Sequence, residues 1–246
     1  MMLLLIRSLL FQASFLLFTA TVAILSMPLL ALRWRSLIKP ISRFWARGVN
    51  VLLKIIAGID CRFEGRENLP QGPFILAAKH QSLWDTSVVL ALFDNPCIVI
   101  KQELLRIPVY GWFTKVLGMV PVDRDGGGAA LKQMLRACRA AAEAGRVLII
   151  FPQGTRTLPG EAAPYQPGVV AIYRETGLPV VPAALNSGFF WPKHGWRRPP
   201  GVIRMQFLEP IPPGLKREAF MAELTGRIET ANARLEAETQ ESLQKQ

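Results

Sequence analysis

Apolar and polar positions are distributed differently before and after about residue 58 of this 246-residue chain. Over positions 8–32 no charged residue occurs, and a helix of that length can cross a hydrocarbon core of about 30 Å. The run is too long for a secretory signal and is followed by no clear small-residue cleavage site. We therefore predict a membrane anchor, with a cleaved signal and a buried core helix as the alternatives. Because Gln12 and Pro28 interrupt the run, the pattern leaves open whether the anchor spans the bilayer or lies in one leaflet.

A basic helix is predicted next, over about 40–57, with Pro40 in its first turn. Cations recur at every fourth position over 35–47, and apolar residues such as Phe44 fall near another face. This pattern is typical of a helix that lies in a membrane interface. The alternative is a helix that packs on the domain and exposes its basic face to solvent.

From about residue 58, short β-rich runs alternate with helical patterns. This alternation predicts an α/β fold with a mostly parallel central sheet flanked by helices, behind the N-terminal membrane-associated helical segment. We divide the chain into an anchor with an interfacial helix at 1–57 and an α/β domain at 58–246. The acid-rich helical stretch at 218–241 is interpreted as a solvated outer helix. Strands are predicted at 59–63, 74–78, 97–100, 119–122, 147–151, 180–185 and 202–208, and helices at about 84–93, 103–117, 128–144, 168–176 and 215–240.

Composition narrows the class of protein. Half of the residues are hydrophobic and 19% are charged, which excludes a disordered chain and falls below the quarter typical of soluble domains. The net charge of +11 arises mainly in two acid-free stretches, with six cations over 33–54 and four over 176–208. Both stretches carry tryptophans beside apolar runs, so an anionic membrane surface is favoured over nucleic acid as the partner. The tryptophan-rich loop at 189–196, with Arg197 and Arg198 directly after it, is the expected second membrane contact.

Two residues with acid–base chemistry, His80 and Asp85, flank the point where a predicted buried strand gives way to a helix. A turn of this length can bring the carboxylate onto the imidazole. Asp85 would then orient the ring and stabilise its protonated form, leaving the other ring nitrogen as a general base. Taken alone, such a pair is more often structural. Because no GxSxG nucleophile motif accompanies it, the pair suits a reaction in which a substrate hydroxyl attacks.

Polar clusters follow two further predicted strands. The segment FPQGTRT at 151–157 follows a strongly apolar run, at the end of a strand where open α/β sheets bind ligands. Its glycine permits close backbone approach, and Arg156 can bind an oxyanion. Another strand ends in Arg124. Each arginine alone can be an ordinary surface residue, but together they suit a substrate that carries phosphate.

The blocks KHQSLWD, GMVPVDR, FPQGTRT and LPVVP follow one another in this order, and they resemble the four motifs of the glycerolipid acyltransferases over about residues 60–210. The resemblance implies an α/β domain behind a membrane-bound helical element, in agreement with the patterns above. It also implies an enzyme that moves a fatty acyl group from acyl-CoA or acyl carrier protein to the sn-2 hydroxyl of lysophosphatidic acid, which gives phosphatidic acid.

Carried over position by position, the resemblance implies that His80 is the base and that Asp85 orients it. It implies further that Arg124 and Arg156 bind the phosphate of the acceptor, with help from Lys101. The substrate-binding positions that follow from it are Lys101, Arg124, Gln153, Gly154, Thr155 and Arg156.

The chain departs from the family pattern at two positions. Gln153 stands where the family usually has Glu, so the side chain keeps a hydrogen-bond acceptor but lacks the charge. Lys79 stands where Asn is frequent. The fourth block, with Pro179 and Pro182, is expected to line the acyl site.

No metal or redox cofactor is expected, because the acyl donor is a cosubstrate and the sequence offers no ligand set. Three scattered cysteines indicate a reducing compartment. The cations after the apolar run place the domain on the cytoplasmic face of the inner membrane. Alternatives are an acyltransferase for another lysolipid (a lysophospholipid or a lyso-ornithine lipid), a non-catalytic lipid-binding module, and a basic nucleic-acid binder. The anchor and the lack of a nucleic-acid motif argue against the last.

Overall fold

The computed structural model of the chain describes residues 1–124 and 126–245. A seven-stranded, mostly parallel sheet lies between two layers of helices, which confirms the predicted fold class, and a strand is present at each of the predicted sites. The strands are β1 (Ile59–Glu64), β2 (Ile75–Ala78), β3 (Cys97–Lys101), β4 (Val120–Val122), β5 (Leu148–Ile150), β6 (Val180–Leu185) and β7 (Gly201–Phe207). The helices are α1 (Met2–Ala31), α2 (Arg35–Leu52), α3 (Trp84–Leu92), α4 (Tyr110–Val116), α5 (Gly127–Glu143), α6 (Gly168–Thr176), α7 (Ser187–Phe190) and α8 (Arg217–Gln244), with a π-helical turn at Leu53–Ala57 and 3₁₀ turns at Arg66–Asn68 and Gln102–Arg106.

The order of the strands brings the chemically interesting segments together. The sheet runs β1-β7-β6-β2-β5-β3-β4, and the five strands from β6 to β4 are parallel to one another. β7 is antiparallel to β6 and parallel to β1. The carboxyl ends of the five parallel strands therefore meet at one edge of the sheet, which is where open α/β sheets bind ligands.

Successive residues of the strands face two hydrophobic layers. In β2, Leu76 and Ala78 belong to the core shared with α1, α2 and α3. Ile75 and Ala77 belong to the core shared with α5, α6 and α8. This alternation follows from the two-residue period of a strand, and it explains why β2 is apolar throughout: both of its faces are covered.

The helices α1 and α2 form a hairpin that packs on the α/β domain. Within the described residues, α1 is the single helix that is long and apolar enough to cross a membrane, judged by length and composition. It nevertheless contacts the domain, because the rings of Phe11 and Phe15 lie 5.1 and 5.2 Å from that of Trp191. The hydroxyl of Ser8 also accepts a hydrogen bond from the backbone of Arg198 at 2.9 Å. The hairpin and the domain thus share one core across the predicted boundary at residue 57.

The basic helix α2 begins at Arg35, and the prediction that Pro40 lies in its first turn is wrong. Arg33 has a positive φ of 53°, so the chain reverses there and the helix begins directly after the turn. The guanidinium of Arg35 donates to the carbonyl of Leu117 at 3.1 Å, and part of the basic face therefore contacts the domain.

The single helix predicted over 103–117 is divided in two. A 3₁₀ turn is followed by Pro108 and by Val109, whose φ is +64°, and α4 begins only at Tyr110. Proline lacks a backbone donor and disfavours helical geometry in the residue before it, so the pattern could not continue as one helix.

Two surface expectations also need correction. The outer helix α8 buries Phe220, Leu224 and Leu235, so it is part of the core. In the loop at 189–198, Trp191 and Arg198 are buried, with the guanidinium 5.3 Å from the centre of the indole. Burial lowers the pKa of Arg198 to about 10. These two side chains pack the loop against α1 and cannot contact a membrane, whereas Trp196 and Arg197 are exposed, so the membrane contact of the loop stays a prediction.

Candidate active site

His80 and Asp85 form a hydrogen-bonded pair at the carboxyl end of β2. The Nδ1 atom of His80 lies 2.9 Å from Oδ2 of Asp85, which sits in the first turn of α3, where a negative charge is favourable. Oδ2 also accepts the backbone N–H groups of Gln81 and Ser82 at 2.7 and 2.8 Å. Because the carboxylate faces Nδ1, that nitrogen carries the proton and Nε2 is left with a lone pair.

The loop after β5 holds His80 at three further points, two on its main chain and one on its ring. The side-chain carbonyl of Gln153 accepts the backbone N–H of His80 at 3.1 Å. The backbone N–H of Thr157 donates to the carbonyl of His80 at 2.8 Å. The ring of Phe151 stacks on the imidazole with 4.2 Å between the ring centres. β2 and β5 are neighbours, so the two loops meet and fix the ring in one orientation.

Gln153 contacts the main chain of His80. Its side chain is buried, and Oε1 must face the His80 N–H, which fixes the orientation of the amide. Nε2 is then a buried donor for which the described residues provide no acceptor. The geometry shows Gln153 supporting His80, and its predicted contact with substrate stays a prediction.

Three cations lie at the carboxyl ends of neighbouring strands. Lys101 ends β3, and its ammonium group pairs with Glu103 at 2.9 Å, which lowers the pKa of that carboxyl. Arg124 follows β4 and is exposed, and Arg156 is half-buried on the turn after β5. The structure therefore places the predicted phosphate-binding side chains at the same edge of the sheet as His80.

Gly154 allows the second and third blocks to approach each other. The guanidinium of Arg124 donates to the carbonyl of Gly154, and a Cβ at that position would lie 2.5 Å from Nη2. Gly154 also has a φ of +70°, in the left-handed region that favours glycine. Thr155, the next residue, is exposed on this turn.

An apolar cavity of about 470 Å³ lies beside the pair, between the hairpin and the domain. Leu83, Thr86 and Ser87 form part of its wall, and they flank Asp85 on the chain. Other wall residues come from α1, α2, β3 and α4, among them Phe15, Ala23, Trp45, Ile100 and Phe113. The wall does not include Pro179 or Pro182, and Pro182 is buried within β6. The expectation that the fourth block lines the acyl site therefore does not hold for this cavity.

Ser187 is a site residue that the sequence reasoning missed. Its hydroxyl is buried at the end of β6 and donates to Oδ1 of Asp85 at 2.6 Å. The position of Ser187 at the carboxyl end of a parallel strand was the available signal, but no motif marked it. Among the residues that the structure describes, no three His, Cys, Asp or Glu side chains cluster in a way that could hold a metal ion.

Comparison with known proteins identifies the family. The sequence profile described as Acyltransferase matches residues 60–186. The chain belongs to the acyltransferase family. This confirms the resemblance on which the sequence analysis drew, including its expectation of a transferase enzyme.

Named relatives of the chain include 1-acyl-sn-glycerol-3-phosphate acyltransferases. The protein of that name from Pseudomonas aeruginosa is 35% identical over 75% of this chain and 72% of its own length. The one from Saccharomyces cerevisiae is 30% identical over 68% of this chain and 56% of its own length. The fold is similar to that of the 1-acyl-sn-glycerophosphate (LPA) acyltransferase PlsC from Thermotoga maritima, with a TM-score of 0.75, 23% identity and coverage of 94% and 97% of the two chains.

Proposed function

We propose that this acyltransferase moves a fatty acyl group from acyl-CoA or acyl carrier protein to the sn-2 hydroxyl of lysophosphatidic acid, giving phosphatidic acid. The observation that carries the proposal is the His80–Asp85 pair, placed between strand-end cations and an apolar cavity. The relatives whose printed name is 1-acyl-sn-glycerol-3-phosphate acyltransferase support the choice of acceptor.

The chemistry needs one base and no covalent enzyme intermediate. Nε2 of His80 accepts the proton of the acceptor hydroxyl as its oxygen attacks the thioester carbonyl. Asp85 stabilises the imidazolium that forms. When the tetrahedral intermediate collapses, the C–S bond breaks and the thiolate takes the proton back from Nε2. The products are the new oxygen ester and a free thiol, and His80 returns to its starting state.

The strand-end cations and the apolar cavity suit the charged and the apolar parts of the substrates. Charge-assisted hydrogen bonds from Arg124 and Arg156, with Lys101 nearby, suit the phosphate of the acceptor. The cavity is apolar and reaches Thr86, one residue beyond Asp85, so an acyl chain within it would hold its reacting end near the imidazole. Such positioning converts a bimolecular encounter into an oriented reaction.

The proposed site of action is the cytoplasmic face of the inner membrane. Both substrates carry acyl chains, and exposed apolar side chains cover α1 and α2, including Leu17 (71% exposed) and Phe44 (62% exposed). An apolar surface of this extent marks a lipid or protein contact. Cations beside it, such as Arg33 and Arg47, suit anionic lipid.

The test is an assay of the purified full-length protein with a panel of lysolipids and with both thioester donors. We expect transfer to lysophosphatidic acid, and we expect His80→Ala to lower the rate by about 10²–10⁴. Asp85→Asn should be nearly as severe, because it favours the wrong tautomer. His194→Ala is the matched control, since His194 is exposed on the loop before β7 and should not matter. A His80→Ala enzyme with near-normal turnover would refute the mechanism, and a preference for a lysophospholipid or lyso-ornithine lipid would refute the acceptor.

A further inference from the structure

The inner side of α8 carries a polar stripe that faces the loops of the active site. Residues spaced by three and four positions lie on one side of a helix. The stripe is formed by Glu229, Asn232, Glu236 and Thr239. It contacts the loops that follow β2, β5 and β6, since its members hydrogen-bond to Lys79, Gln81, Gly160, Leu185 and Asn186.

Glu236 is the more buried of the two carboxylates in the stripe, and it contacts the loops after β2 and β5. It is 8% exposed, and its Oε1 accepts the side-chain amide of Gln81 at 2.7 Å and that of Asn232. Its Oε2 accepts the backbone N–H of Gly160, also at 2.7 Å. Gln81 directly follows the base in the chain, so the carboxylate holds the loop that carries His80.

A path of hydrogen bonds, with the peptide link between Gly188 and Ser187 as one step, leads from Glu236 to His80. Gln81 donates to Glu236 and, through its own Oε1, accepts the backbone N–H of Gly188 at 3.1 Å. The neighbouring Ser187 donates to Oδ1 of Asp85, whose other oxygen faces His80. The links from Glu236 to Asp85 are buried, and buried polar networks of this kind hold their members in one arrangement when every group is satisfied.

We propose that Glu236 is a positioning residue for acyl transfer, which acts on the His80–Asp85 pair through Gln81 and the first two residues of α7, Ser187 and Gly188. The inference rests on the proposed function, because acyl transfer is the readout. It goes beyond the family assignment, since the matched region ends at residue 186 and Glu236 lies in the C-terminal helix.

The network requires a carboxylate at position 236. All three partners of Glu236 donate, and a carboxylate is a pure acceptor. In Glu236→Gln, the new NH₂ would face either the Gly160 N–H or the amide groups of Gln81 and Asn232. Either orientation sets a donor against a donor and leaves a buried group unpaired. The isosteric change therefore disturbs the path without altering the shape of the helix.

The experiment compares Glu236→Gln with Glu241→Gln, which removes the same charge from an exposed position on the same helix. We expect kcat of Glu236→Gln to fall about 10- to 100-fold, with KM for both substrates within about twofold and the thermal transition retained. Glu241→Gln should match the wild type. Ser187→Ala should also lower kcat, and the double variant should lose less than the product of the two single losses, because both residues act through Asp85.

The two histidines of the chain provide a readout that general destabilisation would not give. In ¹⁵N-histidine spectra of the full chain in detergent, Glu236→Gln should shift the imidazole signals of His80 and leave those of His194 unchanged. A folded Glu236→Gln enzyme with kcat within about twofold of the wild type would overturn the inference. If that variant fails to fold, Ser187→Ala decides, and a wild-type kcat there overturns it as well. A wild-type protein that is inactive on every lysolipid would instead refute the proposed function.

Discussion

The side-chain carbonyl of Gln153 accepts the backbone N–H of His80 at 3.1 Å, while the amide nitrogen of the same side chain is buried without a partner. The family usually has Glu at this position, and either residue can accept the His80 N–H. We therefore expect Gln153→Glu to change kcat/KM for lysophosphatidic acid by less than about tenfold, or 1.4 kcal/mol. Steady-state kinetics of the purified variants measure this.

Gln153→Met is the matched variant, because it keeps the length of the side chain and removes the acceptor. The buried N–H of His80 would then be unpaired, at a cost of about 1–3 kcal/mol. We expect it to be clearly more harmful than Gln153→Glu. If Gln153→Met were the milder of the two, the His80 N–H would not need this acceptor, and the charge of the new carboxylate would be the harmful change.

Arg124 and Arg156 should act through the phosphate of the acceptor. A hydrogen bond to a charged group contributes about 1.5–3 kcal/mol, or one to two decades in kcat/KM. We expect Arg124→Ala and Arg156→Ala to lose that much with lysophosphatidic acid and little with monoacylglycerol, which lacks phosphate. Arg217→Ala, at the exposed start of α8, is the control. Equal losses of kcat/KM on both acceptors would show that these arginines have a structural role and do not bind the phosphate.

The apolar cavity should determine which acyl chains are used. Ala23 is part of its wall, whereas Ala13 lies on α1 outside it. Ala23→Phe fills part of the 470 Å³, and each methylene that then loses burial costs about 0.8 kcal/mol, or roughly a factor of four. We expect the kcat/KM ratio of long to short acyl donors to fall in Ala23→Phe and not in Ala13→Phe. An unchanged ratio would place the acyl chain elsewhere.

The strands and the His80–Asp85 pair could be predicted because their signals are local. The apolar run Leu148–Ile150 is buried throughout, and the two members of the pair are five positions apart in the chain. Ser187 and Glu236 could not be predicted in this way. Their contacts join positions 102 and 155 residues apart in the chain, so they depend on the order of the strands and on how α8 docks.

Local sequence patterns also did not show which residues of α2 and α8 contact the rest of the protein. The basic spacing over 35–47 correctly predicted a helix, but it could not show that Arg43 pairs with Asp94 at 2.5 Å. The acid-rich composition of 218–241 hid the apolar side of α8, because only five apolar residues of this 28-residue helix are buried. The charge pattern therefore did not show which side chains of these two helices are free to contact a partner.

The last prediction concerns that contact. Deletion of residues 1–32 is an unsuitable test, because it would remove Phe11 and Phe15 from the core. Point variants at exposed positions of the hairpin avoid this, and Leu17→Glu and Phe44→Glu each replace a large apolar side chain that is more than half exposed. Burial of such a side chain in lipid contributes about 1.5–3 kcal/mol, so each variant should weaken vesicle binding about tenfold or more.

Leu131→Glu is the control, since Leu131 is 42% exposed on α5, which lies on the other face of the sheet. The measurement is flotation with vesicles of phosphatidylcholine and phosphatidylglycerol at low and high salt. Salt should release the hairpin variants more readily than the wild type, because the remaining attraction comes from exposed cations that are screened beyond about 10 Å at 0.1 M. Wild-type flotation of both hairpin variants would show that the exposed face of the hairpin does not contact lipid and that the apolar surface has another partner.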